Sequence, residues 1–521
     1  MTTTFGELIA ARADDDSPAL HFQDQSWTWR EVVSESRARA NLAASLRKPG
    51  PWHIGLLLQN SPENLFWLLA AGLSGATVVG INPTRRGESL ARDINFTDCQ
   101  LIVTDGALRP LLDGLELNCA PENILISDAP DFSTAAPVAE FPTPTAKTVF
   151  SLVFTSGTTS APKAVVCTQG RLGTIALQQV ERRGLTRDDV FYVVMPMFHS
   201  NAIMAGIAPA IATGGQMALR AKFSASGWIQ DVRRYGVTFF NYVGKPLNYI
   251  LATPARADDA ENTLRIAFGN EANEADIDTF ARRFGCVVLD SYGTSEGGMR
   301  INRVPEMPSG SLGLADEGTI VIDPDTLAEC PPAEFDANGQ LLNADVAIGE
   351  IVNTRTAPQF EGYYKNPEAD AERIRDGIFW SGDLAYRDAD GFWFFAGRTS
   401  DRLRVDGENF AAAPVERLLS RYAPFNHVAV YAVPDPLVGD QVMVAVELYP
   451  DTEFDPAGFA EFLAAQQDLG TKWAPKFIRI TDALPRTPTS KVIKRTLQAE
   501  GTNVTDTLWL RPGNALAYEL V

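Results

Sequence analysis

Between about residues 50 and 105 the chain changes its hydrophobic period again and again. Short β-rich runs (HIGLLLQ, ATVVGI, QLIVTD) alternate with helical stretches (ENLFWLLAAGLSG, ESLARDINFTD), each closed by Gly, Asn or Asp. Such a rhythm predicts an α/β fold, with β-sheets flanked by helices. It recurs after a Pro-rich connection over residues 129–145, in FSLVF, VFYVVM, GVTFFNYV and CVVLDSYG. Beyond about Gly310 the texture shifts to short strands and turns (GTIVIDPDT, GEIVNT, GIFWSGD, GFWFFAG), which predicts a β-rich subdomain. After a charged break at residues 397–410, a helix–strand–strand–helix–strand order predicts a small α+β domain. The expected division is 1–399 and 400–521, and 521 residues exceed what one hydrophobic core normally serves.

Leu65 to Ile81 carries no charge, yet it is short for a membrane span, which needs about 20 apolar residues. Ser61-Pro62-Glu63 reads as an N-cap and first turn, so a buried helix to about Ser74 and then a strand are expected. No integral span is foreseen, which leaves room for peripheral membrane contact and for a homodimer. A formal charge of −20 opposes attraction to nucleic acid or anionic lipid. Five scattered cysteines without a CxxC pair, and an N-terminus without a basic start and apolar stretch, point to a reducing cytoplasm.

The chemistry sits at strand ends. FSLVF runs into Thr155-Ser156-Gly157-Thr158-Thr159-Ser160-Ala161-Pro162-Lys163, with five hydroxyls within six residues. Hydroxyls and main-chain N–H groups on such a loop can cradle nucleotide phosphates, and Lys163 adds a point charge. The Gly-to-Lys spacing is wrong for the GxxxxGK[ST] loop of common NTPases. Downstream, CVVL leads into Asp290-Ser291-Tyr292-Gly293-Thr294-Ser295-Glu296-Gly297. There an aromatic face can stack on a purine, Ser295 can bond a phosphate, and Glu296 offers the oxygen ligand Mg²⁺ prefers. Asp383, at the expected end of strand GIFW, suits the two hydroxyls of a ribose, with Arg398 fifteen residues on as a planar donor.

In that order these segments resemble the adenylate-forming superfamily of acyl-CoA synthetases, luciferases and peptide-synthetase adenylation domains. Met195-Pro196-Met197-Phe198-His199-Ser200-Asn201 is similar to its aromatic-His segment, and Pro485-Arg486-Thr487-Pro488-Thr489-Ser490-Lys491 to its C-terminal lysine motif. The resemblance implies ATP, Mg²⁺ and coenzyme A as cofactors. It places His199 beside the acyl carboxylate, Tyr292 on adenine with Gly269, Asn270, Glu271, Asp290 and Gly293 around it, and Asp383 with Arg398 on the ribose. It further makes Glu296 the metal ligand and Lys491, rather than Lys494, the catalytic ammonium. Ser400 becomes the pivot of a mobile C-terminal domain and Gly407 the wall of the pantetheine tunnel. Ser160, Ser400 and Ser490 depart from the family's usual Gly, Asp or Lys, and Gly.

Adenylation answers a chemical need. A carboxylate repels nucleophiles and offers no leaving group; after attack on the α-phosphate it carries AMP as one, and the transition state calls for fixed cations. The runs GVTFFNYVGKPLNYILATP, RIAFGNEA and DGENF resemble the fatty-acid-transport-protein and very-long-chain branch and actinobacterial fatty-acyl-CoA ligases. A fatty acid or steroid side-chain carboxylate is the expected substrate, in a pocket that includes Ala202, Tyr242, Val243 and Gly244. Two alternatives stand: a fatty-acyl-AMP ligase loading a carrier protein, and a nucleotide-binding but inactive homologue. Retention of Lys491, Glu296 and Asp383 argues against the latter.

Overall fold

A computed structural model describes the chain except residues 1–2, 139, 142, 155–162, 273, 337–340, 399–400, 406–407, 436–438, 467–468, 471, 488–491 and 514–515. Its residues group into two compact units, Met1–Asp290 with Glu361–Asp370, and Ser291–Phe360 with Ala371–Val521.

The first unit is α/β. One sheet has the order Ile124–Ile126, Cys99–Thr104, His53–Leu57, Thr77–Gly80, Val149–Phe154, Ala164–Thr168. All its pairings are parallel except the last. In a second sheet Pro18–Phe22, Gln216–Leu219, Val190–Val193, Phe239–Val243, Ile266–Asn270 and Val287–Gly293 run parallel side by side. Parallel strands need crossovers, which helices such as Ala225–Tyr235 and Glu274–Phe284 supply, while Gln169–Arg183 leads from the first sheet to the second.

The uncharged segment folds as expected. The helix Pro62–Ser74 starts at Ser61, whose hydroxyl accepts from the Asn64 N–H, and stops at Gly75 in the left-handed region (φ 79°). Trp67, Leu69 and Ala70 on it are fully buried, and the strand Thr77–Gly80 follows. Among the described residues no helix is long and apolar enough to cross a membrane. All five cysteines are free, and burial pushes the Cys99 thiol up to about 12, which leaves it inert.

The second unit is β-rich at its start. Thr319–Ile322, Gly349–Asn353, Ile378–Arg387, Phe392–Arg398, Gly313–Ala315 and Arg300–Asn302 form an antiparallel run that continues onto Ser291–Gly293. Its C-terminal part orders Arg402–Val405, Gly439–Leu448, Phe477–Ile480 and Thr507–Leu510 in a sheet, with Phe425–Asp435 also paired to Gly439–Leu448. The helices Ala412–Leu419 and Pro456–Ala465 contribute Val415, Leu419 and Phe459 to its buried core.

Two local expectations shift. Ser381-Gly382-Asp383 lies inside the ten-residue strand Ile378–Arg387 rather than at a strand end, because pairing with Gly349–Asn353 and Phe392–Arg398 carries the strand through it, with Gly382 at φ 75° absorbing the local bend. Likewise Asp290 to Gly293 extend the strand rather than follow it.

Candidate functional site

In the first unit the sequence-predicted residues collect at the carboxyl ends of neighbouring parallel strands, where open α/β sheets bind ligands. Val190–Val193 leads to His199, Phe239–Val243 to Gly244, Ile266–Asn270 to Glu271, and Val287–Gly293 carries Asp290. The sheet's register makes them neighbours: Tyr242 stands opposite Gly269, Val243 opposite Asn270, and Gly269 opposite Asp290.

Tyr242 is fully buried, and its hydroxyl donates to Asp290 Oδ2 at 2.8 Å. The Ala272 N–H donates to the same oxygen at 3.2 Å. A Cβ on Gly269 would fall 2.4 Å from the Tyr242 carbonyl oxygen and 2.5 Å from its ring, so only glycine admits this tyrosine. Glu271 holds φ 68°, a conformation unusual for a residue with a side chain and typical of binding sites. Gly244, at φ 70°, donates its N–H to the Asn270 carbonyl at 2.9 Å. The Asn270 side-chain oxygen is buried with no hydrogen-bond partner among the described residues, a group that a bound ligand would satisfy.

The His199 segment is held from two sides. Asn60, 6% exposed, donates to the Met195 carbonyl and accepts from the Met197 N–H, both at 2.9 Å. Asn241 Nδ2 donates to Asn201 Oδ1 at 2.7 Å, and Asn201 Nδ2 reaches the Tyr242 carbonyl at 3.4 Å. Directly after comes a π-helical turn, Ala202–Ile207, a rare geometry concentrated at functional sites. It presents buried Ala202, Ile203, Ala205, Gly206 and Ile207.

Asn60 and Asn241 escaped the sequence reading. Asn60 lies in no motif and far from its partners in the chain, while Asn241, in the run GVTFFNYV, meets Asn201 40 residues away, a pairing without a local signature. Lys163 sets its ammonium 5.7 Å from the Tyr363 ring. The loop Thr155, Ser156, Gly157, Thr158, Thr159, Ser160 lies outside the described residues, as do Ser400, Gly407 and Lys491.

The second unit assembles another cluster. The Tyr292 hydroxyl donates to Asp383 Oδ2 at 2.6 Å, 91 residues away in sequence. Burial and then the Asp383 carboxylate push this phenol well above the usual tyrosine range, so it remains a donor at working pH. Arg398 stands opposite Asp383 across the strands, with Nε 3.6 Å from Oδ1. The bend around Gly382 is fixed by its N–H, which donates to Glu350 Oε1 at 2.7 Å, and by Ser381 Oγ, which accepts from the Asp383 N–H at 3.0 Å.

Thr294-Ser295-Glu296-Gly297 is a turn closed by the Gly297 N–H on the Thr294 carbonyl at 3.0 Å, with Gly297 at φ 80°. Glu296 is 7% exposed, and the buried Thr294 Oγ1 has no hydrogen-bond partner among the described residues. A buried carboxylate beside an unspent hydroxyl suits a polyanion that arrives with its own cation.

Residues 9–364 match the AMP-binding enzyme family, and residues 414–491 match the AMP-binding enzyme C-terminal domain. The chain is 50% identical over 505 residues to a steroid-22-oyl-CoA synthetase of Rhodococcus jostii (strain RHA1), covering 96% of this chain and 91% of that protein. It is 46% identical to a medium/long-chain-fatty-acid–CoA ligase, FadD17, of Mycobacterium marinum, covering 97% and 98% of the two chains. Among solved structures, ATP-bound MatB from Rhodopseudomonas palustris superimposes with a TM-score of 0.80 at 22% identity, covering 95% of this chain and 98% of that one, a likeness of fold. The fold is that of an adenylate-forming enzyme. The chain belongs to the AMP-binding enzyme family, as an acyl-CoA synthetase that acts through an acyl adenylate and uses ATP and coenzyme A.

Proposed function

We propose that the substrate is an apolar carboxylic acid, a medium- or long-chain fatty acid or a steroid side-chain carboxylate. The observation that carries this is the wall at the strand ends: Ala202 and Tyr242 fully buried, Gly244 without a side chain, and the apolar π-helical turn Ala202–Ile207 beside them. Small residues at 202 and 244 leave width for a bulky tail, and the relatives named for steroid and fatty acids support it.

In this reading the acid's carboxylate lies near His199, and adenine stacks on Tyr292 with Gly269, Asn270, Glu271 and Gly293 around it. Asp383 and Arg398 take the ribose. The Thr155–Ser160 loop with Lys163 and Ser295 takes the phosphates. Among the described residues no group of three or more His, Cys, Asp or Glu could hold a metal by itself. Glu296, 7% exposed, would hold Mg²⁺ as a single carboxylate, the remaining ligands being phosphate and water oxygens. Bound there, Mg²⁺ would neutralise charge growing on the phosphates.

Lys491 supplies the ammonium for the first half-reaction. Rotation of a domain 400–521 about Ser400 then withdraws it from the domain 1–399, and Gly407 lines the path of the thiol. A cytoplasmic location agrees with the use of ATP and coenzyme A.

The test is AMP release with coenzyme A across acids from acetate through octanoate and palmitate to steroid side-chain acids. Highest kcat/KM on a long-chain or steroid acid is expected; a preference for acetate or for a dicarboxylate would overturn the assignment.

A further inference from the structure

Lys494, which opens the helix Lys494–Glu500, is a buried ammonium spent on two carboxylates. It lies 2.8 Å from Glu416 Oε1 and 3.4 Å from Asp401 Oδ2, and the three side chains are only 15%, 21% and 21% exposed. Burial alone would lower its pKa, yet the two carboxylates raise it above the usual lysine value, so the ion cluster is intact at neutral pH. Glu416, on the helix Ala412–Leu419, spends the same Oε1 on the Val430 N–H at 2.8 Å, so it cannot swing away freely.

The places of these residues in the chain give the cluster its meaning. Asp401 directly follows Ser400, and Lys494 comes three residues after Lys491. Between them the base of the lysine segment is closed. Arg486 and Val492 form an antiparallel bridge, the Ile493 N–H donates to the Pro485 carbonyl at 2.7 Å, and Arg486 Nη2 reaches Glu447 Oε2 at 3.1 Å. Main-chain bonds thus join the described flanks of the segment, and the Lys494 cluster is a side-chain link from its C-terminal flank to the residue beside the pivot.

We propose that Lys494 is a positioning residue for adenylation: with Asp401 and Glu416 it ties the residue three places after the catalytic lysine to the residue that follows the pivot. This rests on the reading of Lys491 as the adenylating ammonium. Two paired carboxylates leave Lys494 no role as a free cation on phosphate. A buried pair broken on one side leaves an unpaired charge, so loss of Lys494 alone should loosen the link more than loss of both partners.

The experiment uses the full chain and measures two half-reactions: acid-dependent pyrophosphate exchange, and coenzyme A thiolysis of presynthesised acyl-AMP. Lys494→Met should lower the kcat of exchange at least tenfold with the KM for ATP unchanged and thiolysis within twofold. Lys494→Arg, which keeps the charge, should restore most of the exchange, and Asp401→Asn combined with Lys494→Met should be less than additive. Equal loss in both half-reactions, or exchange unchanged in Lys494→Met, overturns the proposal. Lys491→Ala, run alongside, separates the two readings: if it leaves exchange intact, the role of Lys491 fails, whereas loss there with wild-type exchange in Lys494→Met sinks only the positioning role.

Discussion

Deleting a single oxygen, by Tyr292→Phe, isolates what the phenol does for Asp383. The ring remains for stacking, and only the 2.6 Å O–H···O contact to Asp383 Oδ2 disappears. The nearby cation Arg398 contributes little: its Nε is 3.6 Å from Oδ1, and its side chain is 43% exposed. The hydroxyl is therefore a short, direct donor to this carboxylate before nucleotide arrives. A hydrogen bond to a charged group contributes about 1.5–3 kcal/mol, and each 1.4 kcal/mol is about tenfold in a binding constant.

If the contact persists when ribose hydroxyls take the other lone pairs, the Kd for ATP should rise roughly 10- to 100-fold. Titration calorimetry on wild type and variant reads this directly, and the thermal midpoint of the nucleotide-free proteins controls for folding. Deoxyribose analogues add a second readout: the wild type's preference for ATP over them should narrow in Tyr292→Phe, because a loosened Asp383 discriminates less. Because the phenol is held well above the usual tyrosine range, the effect should be flat from pH 6 to pH 9. A Kd within twofold of wild type would refute the reasoning, and a lower one would mean that the phenol competes with ribose instead of orienting its acceptor.

Two further outcomes follow from the geometry. Gly269→Ala places a methyl 2.4 Å from a main-chain oxygen that cannot rotate away, so about 1–3 kcal/mol of destabilisation is expected, with a raised KM for the acid as Tyr242 shifts; a wild-type melting temperature would contradict it. Glu296→Gln keeps shape but removes the charge, so the Mg²⁺ concentration for half-maximal pyrophosphate exchange should rise at least tenfold while thiolysis of acyl-AMP stays unchanged; an unaltered Mg²⁺ titration would exclude Glu296 as the ligand.

What the sequence determined by itself is what chemistry within a few residues controls. Ser61, Pro62 and Gly75 announce both ends of a helix because capping acts within one turn. The strands of the α/β part were legible from their apolar runs, whereas Asp290–Gly293 and Ser381–Asp383, expected after strands, lie within them because pairing to neighbouring strands carries the extended backbone through. The tertiary structure alone decided which distant polar groups meet. Tyr242 finds Asp290 across 48 residues and Tyr292 finds Asp383 across 91. Neither pair has a local signature, because sheet register and not spacing brings them together. Asn60 under the His199 segment, and Lys494 between Asp401 and Glu416, belong to the same class. A hydrogen bond or ion pair of this kind costs the folded state nothing to hold only where the surrounding core has already fixed both partners, and that core is built from residues scattered over the whole chain.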